Sequence, residues 1–207
     1  MPVKKRRAAR RPSYAALDGS KLPTLAGERV ALRWATRRDL EGLYAIFSDP
    51  VVMRYWSTTP LESPAAARRL LAEIHAEFRN GTLYEWVLAR HEDDVAIGTC
   101  TLFHLDRQNR RAEIGFALAQ SHWGRGYMSE ALTLLTTFCF RDLGLRRLEA
   151  DVDPRNTASI RCIERLGFVE EGLLRERWSV GGALQDTLLF GLLAREWRPP
   201  EYGCLPA

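Results

Sequence analysis

Residues 111–130 read RAEIGFALAQSHWGRGYMSE and join a strand, a glycine turn and the start of a helix. Every second residue from 112 to 118 is apolar, which predicts a strand over 111–119 with one face against a core. The opposite face carries Glu113, Gly115 and Ala117. Because two of these three residues are very small, the acid stands beside open space. A glycine inside a strand marks a bulge or the close approach of a ligand or another backbone.

The turn after this strand carries Gly124, Arg125 and Gly126 and leads directly into a helix. Glycines tolerate the backbone angles that let successive N–H groups point at one spot. Together with the helix N-terminus they form an anion site suited to a diphosphate. The sequence contains no G-x-x-x-x-G-K-[ST] pattern, which excludes a nucleotide P-loop. A Rossmann start is excluded because its third glycine is missing.

The surrounding sequence predicts a fold of the α/β (α+β) class, with a mixed, mostly antiparallel central sheet and helices on both faces. Short polar turns separate three strands in the middle of the chain, and Gly181-Gly182 predicts a closing hairpin. The predicted order is β-α-α-β-β-β-α-β-α-β-β. The predicted strands are 29–34, 84–90, 95–105, 111–119, 147–153, 168–180 and 183–193, and the predicted helices are 37–47, 64–80, 127–143 and 157–166.

The apolar pattern predicts one folded domain over residues 23–198, a basic, disordered tail over 1–22 and a C-terminal coil over 199–207. The net charge of +4 belongs to the tail, whose first eleven residues hold six lysines and arginines and no acid. The remaining chain has 24 basic and 26 acidic residues. Such an arm is either a solvated terminus or a contact for nucleic acid or another polyanion.

The cysteines, histidines and apolar runs limit the classes of protein to which this chain can belong. The four cysteines lie far apart without a C-x-x-C pair, and the histidines show no ligand spacing, so we expect no metal site. No apolar run is long enough for a transmembrane helix, and the N-terminus lacks the apolar core of a signal peptide. We therefore expect a cytoplasmic protein with reduced thiols and no membrane partner.

A second informative segment, residues 153–159, leads into another helix. Asn156 stands at the expected N-cap, where its side chain can accept a backbone N–H. Ser159 falls at helical spacing on an apolar stripe that continues to Leu166. Its hydroxyl must therefore find a partner, either on its own helix backbone or elsewhere.

Taken together, these motifs resemble the GNAT superfamily of acetyl-CoA-dependent N-acetyltransferases, and most of all its RimJ/RimL-like branch of ribosomal-protein N-acetyltransferases. The resemblance covers about residues 25–197. It implies a central sheet that is splayed at the cofactor cleft, between the strand that ends at Ala119 and the strand that begins at Leu148. The matching segments, in the family's order, are LAGERVALR at 25–33, AEIGF at 112–116, WGRGYMSEA at 123–131, NTAS at 156–159, LGF at 166–168 and EG at 171–172, with a distal Asp186.

The resemblance also implies acetyl-CoA as the co-substrate and suggests its contacts. The pantetheine arm would pair with the backbone of Phe116, Ala117 and Leu118. Asn156 would touch the same arm, and Ser159 would approach the sulfur. The pyrophosphate would be held by the glycine turn and the first turn of the following helix, which comprise Trp123, Gly124, Arg125, Gly126, Tyr127 and Met128.

The implied reaction is direct acetyl transfer to a primary amine, which needs a base to remove a proton from the ammonium through water. Glu113 is the first candidate because of its strand face beside the cofactor. Glu176 is the second, because its strand would flank the cleft, whereas an acid at a helix start such as Glu130 is more often structural. Many family members carry a tyrosine where this chain has Ile163, and it protonates the leaving thiolate. In this branch a serine at the Ser159 position is proposed for that task.

The acceptor implied by the family is a protein N-terminus of the ribosomal type or a small amine. Its cleft is expected among aromatic residues, although aromatic strand residues more often pack in a core. Two alternatives stay open. One is an acetyl-CoA-binding regulator or catalytically inactive homologue, which Ile163 favours, and the other is a nucleic-acid-binding module that uses the basic tail. Tail and enzyme can also coexist, for example if the tail guides the enzyme to a ribosome. The aromatic candidates are Tyr55, Trp56, Tyr84, Trp86 and Trp178.

Overall fold

The computed structural model describes residues 13–198, which form one eight-stranded sheet with helices on both faces. The predicted class and order of elements are confirmed, with one short strand, β1, added at the start. The strands are β1 (Leu25–Ala26), β2 (Val30–Trp34), β3 (Leu83–Arg90), β4 (Ala96–Asp106), β5 (Arg111–Leu118), β6 (Arg147–Val152), β7 (Val169–Val180) and β8 (Ala183–Leu193). The helices are α1 (Leu40–Phe47), α2 (Pro64–Asn80), α3 (Tyr127–Thr137) and α4 (Thr157–Arg165).

Local sequence signals explain both ends of α2. The Ser63 hydroxyl accepts the backbone N–H of Ala66 at 3.3 Å, and Pro64 occupies the first helical position. The helix ends at Gly81, which adopts a left-handed φ of 71°. Both ends therefore lie where the sequence predicts them.

The strands run antiparallel to their neighbours except where β5 meets β6. Their order across the sheet is β1-β2-β3-β4-β5-β6-β8-β7. The final hairpin turns at Gly181 and Gly182, as predicted, and its second strand pairs with β6. β7 is consequently an edge strand of the sheet.

The two faces of the sheet carry separate apolar clusters. On β3, Trp86 packs in the cluster that contains Leu132 of α3. The next residue, Val87, packs with Leu43 of α1. Since neighbouring residues of a strand point to opposite faces, α1 and α3 cover opposite sides of the sheet.

The sheet opens between β5 and β6, and this opening positions the functional site. The two parallel strands pair through only three residues, from Arg111 opposite Arg147 to Glu113 opposite Glu149. Beyond Glu113, β5 continues to Leu118 with no strand on that edge in the described part of the chain, whereas β6 stays paired to β8. The expected splay between these strands is confirmed.

The packed chain begins within the predicted tail. Leu17 and Leu22 are buried in the larger apolar cluster, so the boundary expected at the end of residues 1–22 is corrected. Two leucines separated by polar residues show no sustained period, which is why the sequence pattern did not reveal their burial. Residues 1–12, with the basic arm, and residues 199–207 lie outside the described residues.

The predicted helix over 127–143 is present but changes its winding near the end. After α3, the chain makes a π-helical turn over Phe138–Asp142, and Gly144 follows with a φ of 68°. Among the described residues, no helix is both long and apolar enough to cross a membrane.

We expect Gly42→Ala to destabilise the fold, because α1 packs closely on β4 at this position. A Cβ atom on Gly42 would lie 2.5 Å from the carbonyl oxygen and 2.8 Å from the Cβ of Ala96. The loss should be about 1–3 kcal/mol, although alanine is the better helix former, since α1 must shift away from the sheet. Urea denaturation measures the change in the free energy of unfolding.

Gly172→Ala is the matched control for this prediction, since no atom of the described residues lies within 4 Å of the Cβ position at Gly172. Its free energy of unfolding should stay within about 0.5 kcal/mol of the wild-type value. Equal stability of the two variants would contradict close packing of α1 on β4.

Candidate active site

A cleft of about 280 Å³ opens where β5 and β6 part. Its floor is formed by β3, β4 and β5, and its walls by the end of β6, the start of α4, the turn at residues 55–57 and the β7–β8 hairpin. The strand register places Glu85, Thr101 and Gly115 side by side across the floor. The open space that the sequence predicts on the glutamate face of β5 is therefore part of this cleft.

The glycine turn lies at the N-terminus of α3. Gly124 and Gly126 adopt left-handed φ angles of 71° and 76°, which a side chain would strain, and Gly126 is the N-cap of α3. The turn from Trp123 to Gly126 is exposed, whereas Met128 is buried, so that only the backbone of Met128 can reach a ligand. The first N–H groups of a helix have no partner within it and bind anions readily.

Two arginines add positive charge at this turn. Arg125 is exposed within it, and Arg29 donates from Nε to Glu130 and from Nη1 to the carbonyl of Arg125, both at 3.0 Å. Glu130 is buried and also accepts the backbone N–H groups of Glu28 and Arg29. It ties the loop before β2 to α3, which is the structural part expected for an acid at a helix start.

The open edge of β5 carries Phe116, Ala117 and Leu118. Phe116 lines the cleft, and Ala117 is buried in the cluster that contains α1. The indole N–H of Trp123 donates to the carbonyl of Leu118 at 2.7 Å, so this carbonyl already has one donor. Backbone polar groups away from water need partners, and an extended ligand chain can supply them along the rest of this edge.

Asn156 and Ser159 lie together at the start of α4, across the split from β5. The Asn156 side chain caps the helix by accepting the backbone N–H of Ser159 at 3.2 Å, which confirms its predicted position. Both residues are half-buried and line the cleft. The structure therefore brings Ser159 to the same cleft as Glu113.

Glu113 is the last residue of β5 that pairs with β6, and it lines the cleft. Its Oε2 lies 3.0 Å from Nδ1 of His104 on β4. Burial raises the pKa of Glu113, and the hydrogen bond with His104 opposes that rise. His104 has a φ of 50° within a bulge between Phe103 and Asp106, which lets its ring reach Glu113. Sequence reasoning missed His104 because regular alternation points it to the other face.

The structure does not bring Glu176 into the cleft. β7 has an irregular register between Leu174 and Trp178, and Glu176 lies within it, exposed, with a φ of 52°. Its backbone N–H donates to Oδ1 of Asp186 at 2.8 Å. The irregularity breaks the alternation of β7, so that Trp178 and Asp186 line the cleft while Glu176 does not.

Three of the aromatic residues expected at the acceptor cleft line it, namely Tyr55, Trp56 and Trp178. The expectation for Tyr84 and Trp86 is wrong. Both are fully buried in the cluster that contains α3, on the face of β3 away from the cleft.

Glu85 is the cleft residue that sequence reasoning missed most clearly. Only 7% of it is exposed, and its Oε1 has no hydrogen-bond partner among the described residues. Burial raises the pKa of Glu85 to about 7. The nearby Thr99 hydroxyl opposes this rise in pKa, although the two groups do not meet the geometry of a hydrogen bond and Thr99 Oγ1 has no other partner in the described part of the chain. A single acid within the apolar run 83–89 is the signal that points to this residue.

Carboxylates dominate the charge of the cleft. None of its lining residues in the described part of the chain is lysine, arginine or histidine. Burial raises the pKa of Asp151 as well as that of Glu113, since ionised groups are poorly solvated there. The cleft therefore favours a cationic ligand. Its acids are Glu85, Glu113, Asp151, Asp153 and Asp186.

The family model of the acetyltransferase (GNAT) domain matches residues 29–169. The chain belongs to the GNAT acetyltransferase family. It is an N-acetyltransferase, and acyl-CoA-dependent transfer is the activity of this family.

Relatives that align over most of their length support the assignment of this chain to the RimJ/RimL-like branch. The uncharacterized N-acetyltransferase p20 of Bacillus licheniformis is 39% identical over 176 residues, which cover 85% of this chain and 99% of p20. The [ribosomal protein uS5]-alanine N-acetyltransferase of Escherichia coli K12 is 25% identical over 180 residues, which cover 84% and 93% of the two chains. The structure of Mycobacterium smegmatis RimJ in complex with CoA-disulfide is similar with a TM-score of 0.74 at 29% identity, covering 84% of this chain and 85% of that one.

The GNAT fold uses acetyl-CoA, and the residues of this chain fit that group. The open edge of β5 can pair with an extended amide chain. The exposed turn with Gly124 and Gly126 presents a helix N-terminus beside Arg29 and Arg125, which suits a diphosphate.

We expect Glu85 to make the stability of this N-acetyltransferase depend on pH. Its pKa of about 7 lies above the value of roughly 4.3 in an unfolded chain, so the folded state binds the proton more tightly. The contribution of Glu85 to stability is therefore lost as the pH rises from about 4.5 to about 7. Relative to Glu85→Gln, the wild type should lose about 3 kcal/mol of unfolding free energy across this range. Urea denaturation at both ends of the range measures this difference.

Glu73→Gln, at an exposed position of α2, controls for the loss of a negative charge. If Glu85→Gln and the wild type show the same pH dependence, Glu85 does not titrate as a buried group.

Proposed function

We propose that this protein transfers the acetyl group of acetyl-CoA directly to a primary amine that enters the cleft as a cation. The observation that carries this proposal is the cleft itself. It opens at the split between β5 and β6 beside Ser159, and its lining is acidic. Such a lining attracts an ammonium group, and its carboxylates can accept the proton that the amine must lose before transfer.

Acetyl-CoA supplies the acetyl group as an activated thioester. We assign the pantetheine arm to the backbone of Phe116, Ala117 and Leu118 and to the side chain of Asn156. The pyrophosphate is assigned to residues 123–128. The unpaired edge of β5 and the left-handed glycines at the start of α3 support these assignments.

Glu113 is the general base in this proposal. Its side chain is only 17% exposed, and burial raises its pKa, which makes it a better proton acceptor near neutral pH. The side chain of His104 is 66% exposed and contacts Glu113. It therefore links the buried carboxylate to solvent and can pass the proton on.

Ser159 is assigned the donation of a proton to the leaving thiolate. Ile163 is fully buried and has no proton to give. Ser159 lines the cleft in the first turn of α4, where the positive end of the helix dipole stabilises negative charge.

The acceptor class is a primary amine, either a protein N-terminus of the ribosomal type or a small amine. Tyr55, Trp56 and Trp178 offer apolar walls for the carbon chain that carries this amine. A second candidate function, an acetyl-CoA-binding regulator without turnover, is favoured by the absence of a donor at Ile163.

Thiol release from acetyl-CoA, measured against N-terminal peptides, polyamines and amino acids, separates these functions. A parallel thermal shift with CoA reports binding alone. Turnover with one class of amine supports the enzyme and names its acceptor. Binding without turnover favours the regulator, and the absence of binding overturns the cofactor assignment.

We expect Glu113→Gln to reduce turnover by about 10²–10⁴-fold, the usual contribution of a general base. The amide has the size of the acid but cannot accept the proton. The affinity for CoA, measured by titration calorimetry, should remain that of the wild type. Glu73→Gln is the control and should retain normal turnover. Normal turnover in Glu113→Gln would remove this residue from the mechanism.

The glycine turn is tested by comparing Gly124→Ala with Gly181→Ala. Both glycines have left-handed φ angles, 71° and 56°, and within residues 13–198 no atom lies within 4 Å of either Cβ position. Both variants should therefore lose a similar stability of about 1–2 kcal/mol in thermal unfolding. Only Gly124→Ala should also weaken CoA binding, by about tenfold, because the added Cβ and the strained φ displace the N–H groups of the turn and weaken about one charge-assisted hydrogen bond to the pyrophosphate. Equal CoA affinities would contradict the assignment of this turn to the pyrophosphate.

A further inference from the structure

Glu85 differs from the other acids of the cleft because it has a buried oxygen that lacks a partner among the described residues. Its Oε1 makes no hydrogen bond among the described residues, although 7% exposure leaves it almost no access to water. Burying such an oxygen costs free energy unless it accepts a hydrogen bond from a donor. Each of the other four acids has a partner: His104 for Glu113, the Trp178 indole N–H for Asp151, Arg155 for Asp153, and the backbone N–H of Glu176 for Asp186.

A second unpartnered polar group lies beside Glu85. Thr99 is fully buried, and its Oγ1 also lacks a hydrogen-bond partner among the described residues. Thr99 is opposite Val87, two residues along β3 from Glu85, so both side chains point to the same face. An ammonium group has three N–H donors and a positive charge. From the cleft it can satisfy the carboxylate of Glu85, and its charge favours the ionised form, which can also accept the hydroxyl of Thr99.

The position of Glu85 relative to the split limits the shape of such a ligand. Glu85, Thr101 and Gly115 are neighbours across three strands, so the backbone of Glu85 lies about 10 Å from that of Gly115. Thr101 lies between the two points, and the neighbouring cross-strand pair, Leu83 and Phe103, adds apolar surface to the cleft. A short alkyl chain with an ammonium group at each end matches this arrangement.

We propose that Glu85, with the buried Thr99 beside it, forms a second ammonium subsite, and that the acceptor is a small aliphatic diamine or polyamine. This inference rests on the proposed function, since the other nitrogen of the acceptor is the one acetylated at the split. Glu85 is a specificity residue here, because it holds the end of the acceptor that does not react. A monoamine of the same length leaves the subsite empty.

The test compares 1,4-diaminobutane with n-butylamine as acceptors for the full-length enzyme at saturating acetyl-CoA. The wild type should show a kcat/KM at least about tenfold higher for the diamine, because only the diamine fills both subsites. Glu85→Gln should raise the KM for 1,4-diaminobutane by about 10–100-fold. It should leave kcat for both acceptors, and the KM for n-butylamine, within about twofold. Glu73→Gln should behave as the wild type.

Glu85→Asp provides a second variant that keeps the charge at this position. Its carboxylate is withdrawn by one methylene group, so the preferred acceptor should change from 1,4-diaminobutane to 1,5-diaminopentane. Thermal unfolding and CoA binding show whether each variant is folded. A folded Glu85→Asp variant that keeps the wild-type length preference contradicts the subsite.

Calorimetric titration of the CoA-loaded enzyme with 1,4-diaminobutane tests the subsite without turnover. Diamine binding that Glu85→Gln abolishes supports the subsite even if no amine is acetylated, in which case only the proposed function fails. Three results overturn the subsite: no diamine binding by the wild type, no preference over n-butylamine, or an equal fall in kcat for both acceptors in Glu85→Gln. A preference for N-terminal peptides over all diamines would also overturn it.

Discussion

The separation of β5 from β6 is the constraint on which the rest of the structure depends. Paired strands satisfy each other's backbone groups, but this pair ends at Glu113 while β6 continues beside β8. The exposed edge of β5 must find other partners. The indole of Trp123 supplies one of them, at the carbonyl of Leu118. The same opening forms the cleft and places the start of α4 opposite β5. The separation of the two strands therefore shapes both the sheet and the binding surface.

Burial of acids in this opening then determines its chemistry. The cleft floor is part of a sheet with an apolar cluster on each face, so an ionised carboxylate there is poorly solvated, and the pKa values of Glu85, Glu113 and Asp151 are raised. A carboxylate that is costly to ionise is also a strong acceptor for a proton or a cation. The neighbouring groups distinguish the two acids. Glu113 contacts His104, which gives it a route to solvent, whereas the Oε1 of Glu85 and the nearby Thr99 hydroxyl have no hydrogen-bond partner within residues 13–198.

The parts that the sequence predicts correctly follow from local rules. Alternation in β5 and the glycine turn at Gly124 depend on a few adjacent residues, and so does the cap at Asn156. Which face of a strand meets which helix is not local. Tyr84 and Glu85 alternate on β3, and only the packing of α1 and α3 decides that the glutamate faces the cleft. The sheet order, with β8 beside β6, likewise depends on contacts distant in sequence.

Two breaks in the regular alternation of side chains explain why the sequence did not predict His104 and why it wrongly placed Glu176 at the cleft. A bulge shifts every later side chain of its strand relative to the partner strand. At His104 a left-handed φ delivers an imidazole to Glu113, and at Glu176 a similar φ removes a glutamate from the cleft and binds its N–H to Asp186. Such angles cost a non-glycine residue about 1–3 kcal/mol each, so the surrounding sheet must impose them. The extra residues at these two irregularities therefore decide that His104 reaches Glu113 and that Glu176 stays outside the cleft.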